Sequence, residues 1–179
     1  ALGALLGLAY AARRLDIKGD PTRLMRGGLI VGLVAFPTVI FSAPLGSALL
    51  FFIGALLIGF GAGLFSVATL ILAMTIPISG IAGRGLAIGA WGAAQATAAG
   101  ISIALGGFLR DFINYHAMRG SWGEALATPA TGYSFVYHSE IALLIVTLLV
   151  LLPLIRQGQH IASKTDQGSA GIRLADFPM

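Results

Sequence analysis

Apolar residues run almost unbroken along most of this chain, and the charged positions that interrupt them fall in a few short clusters. Residues 27–83, 85–109 and 141–155 contain no Asp, Glu, Lys, Arg or His. A helix needs about 20 apolar residues to span a membrane, so the first of these runs is long enough for two spans. A turn with Pro and Gly at 42–47 separates them, because both residues stop helices. The pattern predicts several membrane-spanning helices.

The predicted fold class is all-α, a polytopic membrane helix bundle, because none of the runs alternates as a membrane β-strand does. The predicted helices cover residues 1–12, 24–41, 47–76, 85–110 and 135–155, and a polar tail covers 156–179. The first segment is too short to cross a bilayer, and it starts without methionine. We therefore expect the sequence to begin inside a helix of a longer chain. We also expect residues 112–119 to form a separate interfacial helix.

The composition excludes most soluble classes of protein. The chain is 57% hydrophobic and only 10% charged, with a mean hydropathy of +0.91, whereas a soluble domain carries about 25% charged residues. Disorder requires the opposite balance, and a chain without cysteine cannot be a disulfide scaffold. The sequence also lacks a nucleophile elbow, a phosphate-binding loop and a His pair at metal spacing. We therefore expect no enzymatic activity.

The basic residues predict the orientation of the bundle. Nine of the 11 lysines and arginines fall on one predicted side: Arg13, Arg14, Lys18, Arg23, Arg26, Arg84, Arg156, Lys164 and Arg173. An excess of Lys and Arg marks the cytoplasmic side, so we expect a cytoplasmic C-terminus. The 42–47 turn and the 111–132 loop then face outside. This placement explains the basic charge without a nucleic-acid partner, and a specific anionic ligand remains the alternative.

Small residues recur at a spacing that favours close helix packing. The pairs with this spacing are Gly28/Gly32, Gly59/Gly63 and Gly85/Gly89, and the densest face combines Gly85, Gly89, Ala93 and Gly100. Helices in lipid associate largely through small residues that let backbones approach. Ordinary packing is one interpretation of this face, and contact with a pigment or lipid is the other.

Few polar residues interrupt the predicted spans, and they are the candidate ligand contacts. Gln95 lies near the middle of the fourth segment beside Trp91, while His138 and Glu140 lie at the start of the last segment and His116 in the preceding loop. A buried amide in lipid needs a partner, which an interhelical hydrogen bond would provide. The alternative is contact with a magnesium ion or with a polar substituent of a ligand, since magnesium accepts oxygen ligands and imidazole binds chlorophyll magnesium axially.

Three stretches carry a family resemblance. Residues 85–100, GLAIGAWGAAQATAAG, and 104–111, ALGGFLRD, closely resemble the bacteriochlorophyll-delivery family, the PucC and LhaA group of the major facilitator superfamily. Residues 132–144, GYSFVYHSEIALL, resemble the last helix of the same family. The resemblance implies the C-terminal half of a twelve-helix major-facilitator fold, with its N-terminal half elsewhere in the chain.

The resemblance also implies a function. Members of the family are assembly factors that deliver bacteriochlorophyll to light-harvesting antenna polypeptides, or chaperone those polypeptides, in the photosynthetic inner membrane of purple bacteria. The implied partners are antenna polypeptides, the reaction centre, membrane lipid and the N-terminal half of the same protein. Gln95, His138, Trp91, His116 and Glu140 are the predicted pigment contacts. A solute transporter of the same superfamily and a structural subunit of a photosynthetic complex are the alternatives.

Overall fold

All regular elements in the described part of the chain are helical. The computed structural model describes the backbone of residues 1–16, 20–75 and 81–170, and the side chains of 1–15, 20–75 and 85–153. The α-helices are α1 Leu2–Asp16, α2 Pro21–Ser42, α3 Ala48–Met74, α4 Ile81–Met118 and α5 Ala130–Ala170, with a short 3-10 helix at Glu124–Leu126. The predicted all-α fold class is confirmed.

Four of these helices are long and apolar enough to cross a membrane. The stretches that qualify are Pro21–Ser42, Ala48–Met74, Gly85–Met118 and Ala130–Pro153. At a rise of about 1.5 Å per residue, each exceeds the roughly 30 Å of a bilayer's hydrocarbon core. The chain is therefore a membrane helix bundle, as its hydropathy predicts.

The ends of α4 and α5 differ most from the prediction, because α4 covers Ile81–Met118 where 85–110 was predicted and α5 covers Ala130–Ala170 where 135–155 was predicted. α4 runs without a break to Met118, so residues 112–119 do not form a separate helix. Between Arg110 and Met118 there is neither Gly nor Pro, and the chain first turns at Gly120, whose φ of 72° favours glycine. The backbone of α5 is helical to Ala170, where the apolar pattern predicted an end at residue 155. Polar residues end a hydrophobic run without ending a helix.

The core is built around α3, which packs against α1 on one side and α2 on the other. On the α1 side, a Cβ added at Gly63 would lie 2.7 Å from the carbonyl oxygen of Ala4. On the α2 side, a Cβ at Gly61 would lie 2.7 Å from the carbonyl oxygen of Gly28. The structure thus places Gly28, Gly59 and Gly63 where only glycine leaves room for the neighbouring backbone, whereas a Cβ at Gly32 would lie 3.1 Å from the side chain of Leu144.

The chain divides into two compact units, residues Ala1–Leu144 and Ile145–Met179. The first contains α1 to α4, the start of α5 and every predicted site residue. In the second, the α5 backbone continues through Pro153 to Ala170.

Candidate functional site

Two parallel hydrogen bonds attach α4 to α3. Trp91 donates its indole N–H to Thr69 Oγ1 over 3.2 Å, and Gln95 donates from Nε2 to Ser66 Oγ over 3.1 Å. Residues 91 and 95 lie one turn apart on α4, and residues 66 and 69 lie one turn apart on α3, so the two polar pairs stack along the helix contact. The structure therefore gives Gln95 and Trp91 an interhelical role.

The bond to Ser66 uses only the amino end of the Gln95 side chain. Its carbonyl oxygen accepts no hydrogen bond from any described residue, and the side chain is half-exposed. Gln95 can therefore hold α4 against α3 and still present an acceptor or ligand oxygen to a bound molecule. The partners Ser66 and Thr69 were missed from the sequence, although two hydroxyls three residues apart in an apolar span were the available signal.

The small-residue face of α4 points away from α3. At about 100° per residue, positions 85, 89, 93 and 100 fall within about 80° of one another, and Trp91 lies on the opposite side of the helix. Within the described part of the chain, a Cβ at Gly85, Gly89 or Gly100 would meet no atom within 4 Å. Ala93 is exposed as well. The helix-packing role predicted for these four residues stays a prediction, because the described structure brings no helix against them.

His138 lies on the exposed surface of α5 with one ring nitrogen already engaged. Its Nδ1 lies 2.7 Å from the carbonyl oxygen of Ser134. A carbonyl can only accept, so Nδ1 carries the proton, and in the neutral ring Nε2 keeps its lone pair. Histidines that bind metals commonly donate their other N–H to a backbone carbonyl in this way. Glu140 lies two residues further on, about 200° around the helix, so it does not share a face with His138.

His116 belongs to an aromatic cluster at the end of α4, not to the surroundings of His138. Its ring lies 4.7 Å from that of Phe112, 5.4 Å from that of Tyr115 and 6.0 Å from that of Trp122, measured between centroids. Arg119 stacks over Tyr115 at 4.1 Å. Tyr115 and Trp122 are about half exposed. Aromatic rings with a cation at the end of a membrane-spanning helix are typical of the bilayer interface.

A polar clamp joins the end of α4 to the start of α5. Arg110 donates to the Tyr133 hydroxyl over 3.0 Å and forms a salt bridge with Asp111 at 2.6 Å. The Asn114 side-chain oxygen accepts the backbone N–H of Gly132 over 2.9 Å. The sequence did not indicate Asn114, whose partner is a backbone group with no sequence signal.

The predicted contacts therefore do not form a single site. Gln95 and Trp91 contact α3, His138 contacts its own helix, and His116 contacts the aromatic cluster. Among the described residues, no group of three or more His, Asp or Glu could hold a metal ion. The described part of α4 and α5 offers a long apolar surface with the open amide oxygen of Gln95 and the open Nε2 of His138.

Comparison with known proteins assigns the chain to a family. The model of the family described as PUCC protein matches residues 1–159. The chain is 48% identical, over 99% of its length, to a Rhodobacter capsulatus protein described as an uncharacterized protein in the puhA-bchM intergenic region, and this match covers 37% of that protein.

Two relatives named Protein PucC also match. The one from Rhodovulum sulfidophilum is 49% identical over 62% of this chain and 24% of its own length. The one from Cereibacter sphaeroides is 37% identical over 86% of this chain and 32% of its own length. The chain thus spans about a quarter to two fifths of these relatives. No solved structure matches it significantly.

Proposed function

The chain belongs to the PucC protein family, and on that premise we propose that it serves the assembly of photosynthetic light-harvesting complexes. The observation that carries the proposal is the family match, which extends over nearly all the described helices. Bacteriochlorophyll is the proposed cargo, delivered to antenna polypeptides or held while those polypeptides are chaperoned. No covalent step is part of this function.

The surface of α4 and α5 supports this proposal. A flat macrocycle or an antenna helix needs an apolar face that it can approach closely, and a Cβ at Gly85, Gly89 or Gly100 would meet no described atom within 4 Å. A magnesium macrocycle also needs an axial ligand, and the Nε2 lone pair of His138 is available on the exposed side of α5. The open oxygen of Gln95 is a second polar contact for a ring substituent.

The proposed setting is the photosynthetic inner membrane, with the C-terminus in the cytoplasm. The partners in this proposal are antenna polypeptides, the reaction centre and the remaining part of the protein itself. The length of the relatives supports the last partner, since they extend well beyond the matched segment. A position in the C-terminal half of a twelve-helix major-facilitator fold is part of the same proposal.

Purification of the full-length protein from photosynthetically growing cells tests the proposal. The expected result is bacteriochlorophyll absorbance together with co-purifying antenna polypeptides. His138→Ala should lower the pigment-to-protein ratio severalfold, because it removes the axial ligand. His160→Ala is the matched control, since it removes an imidazole from the predicted tail, and it should leave the ratio unchanged.

Two results would contradict the proposal. One is a colourless wild-type protein without antenna partners, and the other is normal antenna assembly in cells that lack it. Both together would favour solute transport. Pigment that persists unchanged in His138→Ala would leave delivery standing but remove His138 as its ligand.

A further inference from the structure

A pocket of about 330 Å³ opens at the end of the bundle where α2 ends and α3 and α5 begin. Its walls are mainly apolar and include Val39, Ile40 and Phe51. Tyr133, Ser134 and Tyr137 line it from α5. None of the pigment contacts predicted from the sequence lines this pocket, so its role is separate from that of the α4 surface.

Two phenol hydroxyls at this pocket have protons for which no described residue is an acceptor. The Tyr133 hydroxyl accepts from Arg110, so its own proton points elsewhere. The Tyr137 hydroxyl forms no hydrogen bond to any described residue, although its ring packs on Phe36 at 6.0 Å. Ser42, by contrast, donates to the Val39 carbonyl within its own helix. A ligand for this pocket therefore needs an acceptor oxygen next to an apolar body.

The position of the two tyrosines along α5 indicates which acceptor oxygen the ligand would supply. Tyr133 lies three residues into α5, about 5 Å along the helix from Ala130, and Tyr137 lies one turn deeper, at about 10 Å, so the pocket extends inward from the level of Tyr133. The headgroup region of a bilayer is about 5 to 8 Å thick on each side of the hydrocarbon core, and tyrosine is enriched there. Ester carbonyls of glycerophospholipids lie at this level, above their acyl chains.

Arg110 bonds to Tyr133 at the rim of the pocket, where the phosphate of such a lipid would lie. Arg110 binds Asp111 and Tyr133 through three of its five N–H groups, which leaves two N–H donors for a phosphate oxygen. The carboxylate of Asp111 is paired with the same guanidinium, so the net charge of the Arg110–Asp111 pair is close to zero. Arg110 would therefore bind a phosphate through directed hydrogen bonds more than through long-range attraction.

We propose that this pocket binds one glycerophospholipid. The hydroxyls of Tyr133 and Tyr137 donate to its ester carbonyl, the acyl chain lies along Val39, Ile40 and Phe51, and the phosphate lies near Arg110. The proposal does not depend on pigment delivery, because none of the predicted pigment contacts lines this pocket and its ligand occurs in every membrane.

Native mass spectrometry of the full-length protein, expressed in a host without bacteriochlorophyll and titrated with phosphatidylglycerol, tests this site. The wild type should retain one lipid. The double variant Tyr133→Phe/Tyr137→Phe keeps both rings and removes both donors, so its affinity should fall about tenfold. Ala43→Phe fills the pocket from its wall and should abolish retention.

Tyr10→Phe is the matched control, because the Tyr10 hydroxyl also accepts from an arginine, Arg14, over 3.0 Å but lies on α1 away from the pocket. It should bind lipid as the wild type does, and thermal denaturation should show that the tyrosine variants stay folded. Equal lipid retention in the wild type, the double variant and Ala43→Phe would overturn the site. So would protein from photosynthetic cells that carries a pigment ester here in place of phospholipid.

Discussion

Glycine at position 28 lets the backbones of α2 and α3 meet, whereas its neighbour Gly27 faces open space. A Cβ at Gly28 would lie 2.7 Å from the carbonyl oxygen of Gly61 and 3.1 Å from the backbone nitrogen of Phe65. A Cβ at Gly27 would meet no described atom within 4 Å. Two adjacent glycines therefore differ in importance, in agreement with the small-residue spacing that singles out Gly28 and not Gly27.

Gly28→Ala should destabilise the protein and Gly27→Ala should not. Forcing a methyl group against a backbone carbonyl costs about 1–3 kcal/mol, because helices α2 and α3 must separate. At the open position, alanine instead gains up to about 1 kcal/mol of helix propensity. Thermal denaturation of the purified protein in mild detergent measures both. Equal transition temperatures for the two variants would contradict the close contact.

The Gln95–Ser66 bond should contribute a small, measurable coupling. Interhelical hydrogen bonds in membrane proteins average about 0.6 kcal/mol in double-mutant cycles. We expect a coupling near that value from Gln95→Leu, Ser66→Ala and the double variant, measured by unfolding in detergent. The pair Gln95→Leu and Thr69→Ala is the control, since these two side chains share no hydrogen bond. A coupling no larger than that of the control would show that Gln95 does not hold α4 to α3.

The first residues of α2 and α3 are each fixed by a local hydrogen bond. α2 begins because Asp20 accepts the backbone N–H of Thr22 over 2.8 Å and proline occupies the first helical position. α3 begins at Ser47, whose hydroxyl accepts from the Leu50 N–H over 3.3 Å. These caps explain why α2 and α3 begin directly after Asp20 and Ser47.

Removing the cap of α2 should cost about 1 kcal/mol of stability. Asp20→Ala leaves the Thr22 N–H without its acceptor, while Asp20→Asn keeps an oxygen in place and should cost less than half as much. The salt bridge to Arg23 adds little, because it spans 3.8 Å and the arginine side chain is 80% exposed. Chemical denaturation of the three proteins compares them. A loss in Asp20→Asn as large as in Asp20→Ala would assign the effect to charge and not to capping.

The α4 face of Gly85, Gly89, Ala93 and Gly100 should affect binding of pigment and antenna polypeptides and not the folding of the protein. Gly89→Leu places a branched side chain on that face, so we expect it to reduce co-purification of pigment and antenna polypeptides severalfold. Ala94→Leu is the control, because residue 94 is exposed on the other side of the helix. Absorption measures the antenna content of the membranes, and an immunoblot measures the protein level. Together they separate a loss of association from a loss of folded protein. An unchanged antenna content in Gly89→Leu would remove this face from the proposed function.

At the scale of the whole bundle, the 42–47 turn and the 111–132 loop belong to one end. Val39, Ser42 and Ala43 share a pocket with Ala130 and Tyr133, and Arg110 bonds to Tyr133 across the same end. The excess of Lys and Arg on the other predicted side then predicts that this end faces the outside of the membrane.

Cysteine labelling should show this shared side. The chain contains no cysteine, so Ser47→Cys and Ser121→Cys each introduce one thiol at this end, once any cysteine elsewhere in the full protein is replaced. Both should react with a membrane-impermeant maleimide in intact spheroplasts. Ser163→Cys, in the predicted tail, should react only after the membrane is opened. Labelling of Ser47→Cys and Ser121→Cys from different sides would contradict the structure, and labelling of both from the cytoplasm would reverse the predicted orientation.

Much of the architecture was accessible from the sequence because it depends on local chemistry. The four spans follow from hydropathy, and the break at 42–47 follows from Pro and Gly. The end of α4 was misplaced because Arg110 and Asp111 look like the end of a span, although charged residues are compatible with a continuing helix. Pairing of residues far apart, such as Asn114 with Gly132, leaves no comparable pattern.

The sequence by itself determined that this is an all-helical membrane protein, since a bilayer requires long apolar helices whatever their arrangement. It also determined which glycines could mediate close packing. Only the tertiary structure decided that Gly28 and Gly61 meet, that the face of Gly85 and Gly89 stays open in the described bundle, and that Gln95 reaches Ser66. The physical reason is that a helix exposes all of its sides to a uniform apolar solvent, so the choice of contacting face depends on how distant segments fit together.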